Sequence, residues 1–174
     1  MRKHIKGLLE QGCSRQEIFE KLKADAGNEM RLAKQIATFR AHPDSGFSLI
    51  VNRILLCVFF AQSVFAIWTI HTVLAPLDAE FALHGIVVVS VLSVIYFVGL
   101  LRMAFTGYAA YLMFCMVVAG NYIYGFNTVP VISIVGVLLA ALSGALTYYL
   151  KVSLFPHMGF MDVRTDDEGC YILD

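Results

Sequence analysis

The chain has 174 residues, of which 59% are hydrophobic and only 15% are charged, and its formal net charge is zero. A soluble domain averages about 45–50% apolar and about 25% charged residues, so this composition excludes an ordinary water-soluble globule and points to lipid as a solvent. The four cysteines, Cys13, Cys57, Cys115 and Cys170, are scattered and form no CxxC pair, which argues against a disulfide framework or a zinc site.

The apolar residues are clustered. Residues 1–46 read as a soluble helical segment, 47–151 as a membrane domain and 152–174 as a soluble tail. Charge is split the same way. Residues 1–46 carry nine Lys/Arg against six Asp/Glu, and residues 151–174 carry two against five. Ends of opposite sign attract each other if they share one side of the membrane. A cleavable signal begins with a short basic stretch followed by an apolar core. Here a long polar and amphipathic segment comes first, so no such signal is read.

The N-terminal segment predicts three short helices. Ile5, Leu8 and Leu9 give the first an apolar face, and Gly12 ends it. "SRQE", residues 14–17, is a capping box: Ser14 caps the helix start while Glu17 reaches back. Ile18, Phe19 and Leu22 form the second stripe, with Gly27 suited to the C-terminal cap. The third helix is expected over residues 28–41, with Leu32, Ile36 and Phe39 inward and His42-Pro43 stopping it. The rhythm "LLEQGCSRQEIFEKL" resembles the first half of a helix-turn-helix. A net +3 with interspersed acids is a poor electrostatic match for DNA, so no nucleic-acid partner is expected.

A membrane span needs about 20 predominantly apolar residues. Four spans are predicted, at about 49–73, 81–101, 105–124 and 131–150. The last two are parted by the turn chemistry of "GFNTVP", residues 125–130. The lone charge in the long apolar run, Arg102, falls where the second span must end. A charge at the bilayer centre costs several kcal/mol, whereas at the boundary its stem snorkels to the headgroups. Arg53, Arg102 and Lys151 mark one side, while the opposite loops hold Asp78 and Glu80 and no Lys or Arg. The positive-inside rule then puts both termini in the cytoplasm, and a bacterial inner membrane is the expected location. Trp68, Tyr122, Tyr124 and Phe126 suit an outer aromatic belt. Tyr148, Tyr149 and Phe155 suit an inner one.

No Asp, Glu or Lys lies within a span core, which weighs against a proton-coupled pump. The mid-depth polar residues are Gln62, Ser63, Ser90, Ser93 and Ser143, together with Cys115. They read as helix–helix glue or as the lining of a narrow polar path. Ser133, Gly136, Ala140, Gly144 and Thr147 recur at intervals of three or four in the fourth span. They form a small-residue face for close helix packing, either within the bundle or between copies. In the hairpin joining the first two spans, His71, Asp78, Glu80 and His84 are the one candidate metal set, although their spacing matches no defined motif. No cofactor is expected, and haem between His71 and His84 is disfavoured because both sit at one end of one hairpin. The tail, residues 160–174, predicts a short β-hairpin, two β-prone runs flanking an Asp/Gly-rich turn.

The expected fold is therefore an all-α four-helix transmembrane bundle with a small N-terminal helical segment and a C-terminal β-hairpin tail. The expected function is that of a non-enzymatic membrane subunit or scaffold. It would contact the lipid bilayer and work in a homo-oligomer or a membrane protein complex, docking partners through its cytoplasmic ends. The alternative is a small homo-oligomeric channel or transporter. A third reading, a membrane enzyme or redox protein using the His71/His84 hairpin, requires bound metal or a chromophore.

Overall fold

A computed structural model of the chain describes residues 2–24, 26–39, 46–160, 162–166 and 170–173. Seven α-helices form among these: α1 (Arg2–Glu10), α2 (Arg15–Lys23), α3 (Glu29–Ala37), α4 (Gly46–Thr69), α5 (Ala79–Leu101), α6 (Phe105–Tyr124) and α7 (Pro130–Leu154). A π-helical turn, Ile70–Leu74, continues α4, and a 3₁₀ turn, Gly125–Asn127, follows α6. The chain divides into two compact units. One joins Met1–Pro43 with Val152–Asp174, and the other is Asp44–Lys151.

The first unit is built from both chain ends. Helix α1 closes with Gly12 at φ +83°, a left-handed backbone that glycine adopts without steric cost. There the Cys13 amide donates to the Leu8 carbonyl and the Gly12 amide to the Leu9 carbonyl, the paired bonds of a Schellman cap. The capping box opens α2: Ser14 Oγ accepts from the Glu17 amide and Glu17 Oε2 from the Ser14 amide, both at 3.1 Å. Helix α2 then ends at Lys23 with Ala24 as its C-cap, so Gly27 is not its cap. Asn28 opens α3 instead, with its Oδ1 accepting from the Arg31 amide at 2.9 Å. Helix α3 ends at Ala37, and the expected stop at His42-Pro43 lies outside the described residues.

Ile5, Ile18, Phe19, Leu32, Ile36 and Leu173 are among the buried apolar residues of this unit. Tail and helices meet directly. The Phe19 and Tyr171 rings pack edge-on at 5.7 Å, Lys34 Nζ reaches Asp162 Oδ1 at 2.9 Å, and Arg15 Nη1 lies 3.1 Å from His157 Nε2.

No β-strand forms among the described residues, so the predicted β-hairpin is unsupported. Among those residues the tail holds two isolated antiparallel bridges, Met158 with Val163 and Thr165 with Tyr171. Its two arms exchange single backbone bonds, the Asp166 amide to the Cys170 carbonyl and the Ile172 amide to the Arg164 carbonyl, both at 2.9 Å; the Gly159 amide bonds the Asp162 carbonyl, and Asp166 Oδ1 accepts from the Cys170 amide. Such local side-chain bonds compete with a ladder. The expected turn residues 167–169 lie outside the described residues. Phe155, expected in an aromatic belt, is instead buried in the first unit.

The second unit carries four helices long and apolar enough to cross a membrane: Gly46–Leu74, Ala79–Leu101, Phe105–Asn127 and Pro130–Leu154. At ~1.5 Å per residue each exceeds the ~30 Å hydrocarbon thickness. Helix α4 starts three residues earlier than the sequence pattern suggests, and α7 runs four residues further, through Lys151. Proline at the first position of α7 loses no helical hydrogen bond. Arg102 is the exposed C-cap of α5, so it ends a span and is not a buried charge.

The turn after Arg102 is tight. Met103 has φ +48°, the non-glycine residue with positive φ among the described residues. The Met103 amide donates to the Leu100 carbonyl and the Ala104 amide to the Gly99 carbonyl, another Schellman cap. A left-handed residue other than glycine costs roughly 1–2 kcal/mol, and the buried Met103 side chain is what offsets it. Beyond the turn α5 and α6 approach at Gly99 and Gly107. A Cβ on Gly107 would lie 2.7 Å from the Gly99 carbonyl carbon, so only glycine fits there.

Candidate functional site

In hydrocarbon a polar side chain must find its partners within the protein, and the centre of the second unit holds a set of such contacts. Gln62, buried on α4, accepts two hydrogen bonds at Oε1. One comes from the Tyr111 hydroxyl at 2.7 Å, the other from Ser143 Oγ at 2.8 Å. A single amide thus ties α4 to α6 and α7. Thr147 Oγ1 donates to the Ser143 carbonyl at 2.6 Å, and the Phe59 and Tyr111 rings pack edge-on at 5.2 Å beside the amide. Ser93 Oγ on α5 donates to Ser63 Oγ at 3.1 Å, while Ser63 Oγ donates to the Phe59 carbonyl at 3.0 Å. Gln62, Ser93 and Ser143 each fall within about three residues of the midpoint of their span, about 5 Å of axial rise. The network therefore lies near mid-depth. Ser90 takes no part in it among the described residues; it is half-buried on α5.

A second polar contact lies where α5 turns into α6. Asn52, buried on α4, donates through Nδ2 to the Leu100 carbonyl at 3.3 Å and accepts the Tyr108 hydroxyl at 2.7 Å. Buried Lys151 stands 5.9 Å from the centroid of the Phe105 ring, a distance at which a cation and a ring face attract. The sequence reading missed Asn52. The signal was present: an amide inside an apolar run needs partners for both of its ends, and a tyrosine hydroxyl on a facing span can supply one.

The small-residue face of α7 is occupied within the chain. Ser133, Ala140, Ser143 and Thr147 are buried. A Cβ on Gly136 would lie 2.4–2.5 Å from the Tyr122 ring, and one on Gly144 would touch Cys115 and Leu112 of α6. The stripe is the seat of α6, so it is not open to a second copy.

The metal candidates fare differently. Asp78 is the N-cap of α5, its Oδ1 accepting from the Phe81 amide at 2.9 Å. His84 Nδ1 lies 2.8 Å from the Glu80 carbonyl. Among the described residues no group of three or more His, Cys, Asp and Glu comes together that could hold a metal ion. In the first unit a groove of about 470 Å³ lies at the α2–α3 turn, lined by Ala26, Gly27, Asn28, Arg31, Leu32 and Gln35. No family model matches the chain, and comparison with curated proteins and with solved structures gave no match.

Proposed function

We propose that the chain is a non-enzymatic membrane subunit or scaffold, whose four spans anchor a docking unit made from its two ends. The observation that carries this reading is that polar groups of the spans bond to one another across helices. The Tyr111 and Ser143 hydroxyls both donate to Gln62 Oε1, and Ser93 donates to Ser63. Hydroxyls and amides so engaged hold helices together and leave little polar surface for a passing solute. The jointly folded ends supply what a scaffold needs, a partner-facing surface that includes the α2–α3 groove. The positive-inside rule supports a cytoplasmic position for that unit, and a bacterial inner membrane is the location that goes with this reading. Arg53, Arg102 and Lys151 stand toward one side and Asp78 and Glu80 toward the other.

The test is native mass spectrometry after gentle extraction from the source membrane. A stable complex with different proteins is the expected result. A homo-oligomer free of other proteins, with solute flux after reconstitution into liposomes, would overturn the reading in favour of a channel or transporter.

A further inference from the structure

Gln62 is only 5% exposed, and both of its known bonds fall on one amide atom. Nε2 is buried and has no partner among the described residues. Leaving an amide donor unmet in hydrocarbon costs several kcal/mol, so this atom calls for an acceptor. Beside it the helices leave a cavity of about 20 Å³, whose walls include Phe59, Gln62, Ser63, Ala66, Val89 and Ser93.

The volume suits a water. About 10–15 Å³ suffices for one, which also needs two or more polar partners. The polar partners are at hand. Nε2 offers a donor, and Ser93 Oγ, whose proton goes to Ser63, keeps acceptor lone pairs. We infer that this cavity is a hydration site at the middle of the membrane, binding one resident water between the Gln62 amide and the Ser63–Ser93 pair. Turning the amide by half a revolution exchanges donor for acceptor at the cavity but still leaves one amide atom unmet. Water, a donor and an acceptor at once, serves either orientation. The water extends the Gln62 network from α6 and α7 to α5, so that all four spans share one set of hydrogen bonds.

The site is testable because the chain has four glutamines, Gln11, Gln16, Gln35 and Gln62, of which Gln62 alone lies in a span. The full chain in lipid nanodiscs, with ¹⁵N at the glutamine side-chain amides, gives four NH₂ pairs by nuclear magnetic resonance. The Gln62 pair is expected to show magnetisation transfer from water despite its depth among acyl chains. Ala66→Leu, which fills the cavity, is expected to abolish that transfer while the other three pairs stay unchanged as the folding control. A resolved Gln62 pair with no transfer from water, or with transfer from acyl chains or a co-purified molecule instead, would overturn the inference. So would full transfer persisting in a folded Ala66→Leu protein. Ser93→Ala, which removes the second polar wall, should reduce the transfer at least twofold.

Discussion

The two units of this chain differ in what they bury and what they expose. In the unit of the chain ends the buried residues include Ile5, Ile18, Leu32, Ile36 and Leu173, and ion pairs such as Lys34–Asp162 lie at the surface. In the span unit Val87, Val91, Val94, Leu138 and Phe60 face outward, while Ser48, Asn52, Gln62, Ser133, Ser143 and Thr147 are buried. Each pattern follows from its solvent. In water, removing apolar surface drives folding at about 25 cal/mol per Å². In lipid that drive between helices vanishes, and close packing with interhelical hydrogen bonds takes its place. Helix α5 shows the second regime at its extreme. Only 6% of its most apolar stretch is buried, against 28, 22 and 28% in the other three spans, and Ser93 and the Gly99–Gly107 approach help hold it to its neighbours.

Substitutions that probe one regime and spare the other sharpen this contrast. The largest effect is expected from Phe19→Ala, which removes a buried ring from the end unit and its contact with Tyr171. A loss of about 3–5 kcal/mol is usual for such a truncation. Limited proteolysis should then cut the N-terminal helices and the tail readily, while the spans stay protected in detergent. Concurrent loss of the spans would break the comparison.

Gly107→Ala comes next. Its Cβ would lie within 3 Å of the Gly99 backbone, which has no side chain to swing aside. Overpacking costs of about 1–3 kcal/mol outweigh the roughly 1 kcal/mol of helix propensity gained. Thermal unfolding in detergent should fall for Gly107→Ala and hold for Gly120→Ala, where nothing lies within 4 Å.

Gln62→Leu should cost about 1–2 kcal/mol, because two hydroxyls lose their acceptor and such bonds average about 0.6 kcal/mol in membranes. A double-mutant cycle with Ser143→Ala should show positive coupling, since the second change then removes a bond already lost. Additive effects would remove Gln62 from the centre of the network. The smallest effect is expected from Lys34→Ala. Its pair with Asp162 is exposed on both sides, and exposed pairs contribute about 0–1 kcal/mol. The change should be barely measurable in the protease assay, and smaller still at high salt.

Much of the architecture was legible in advance because it rests on local patterns. Four long apolar runs, the Ser14–Glu17 box, Asn28 and Gly12 as boundaries, and Arg102 as a span end all depend on a few neighbouring residues and their solvent. The tail is less legible. Its alternation suits a hairpin, and single backbone bonds join Arg164 and Asp166 to Ile172 and Cys170, yet among the described residues only two isolated bridges and no strand form. Met103 was equally hidden, because a left-handed cap normally announces itself by glycine, and here burial of the side chain outweighs that preference.

By itself the amino-acid order determined which segments are apolar enough to cross a membrane and where α1 stops, α2 begins and α5 stops, because hydropathy and capping act over a few residues. Only the tertiary structure decided which polar atoms meet. Gln62 lies 49 and 81 residues from Tyr111 and Ser143 along the chain, and Asn52 lies 56 from Tyr108. It also decided that the small face of α7 serves α6 and that the two ends make one unit. Those pairings depend on the rotation of each helix about its axis and on which neighbour it meets, and both are set by packing across the bundle.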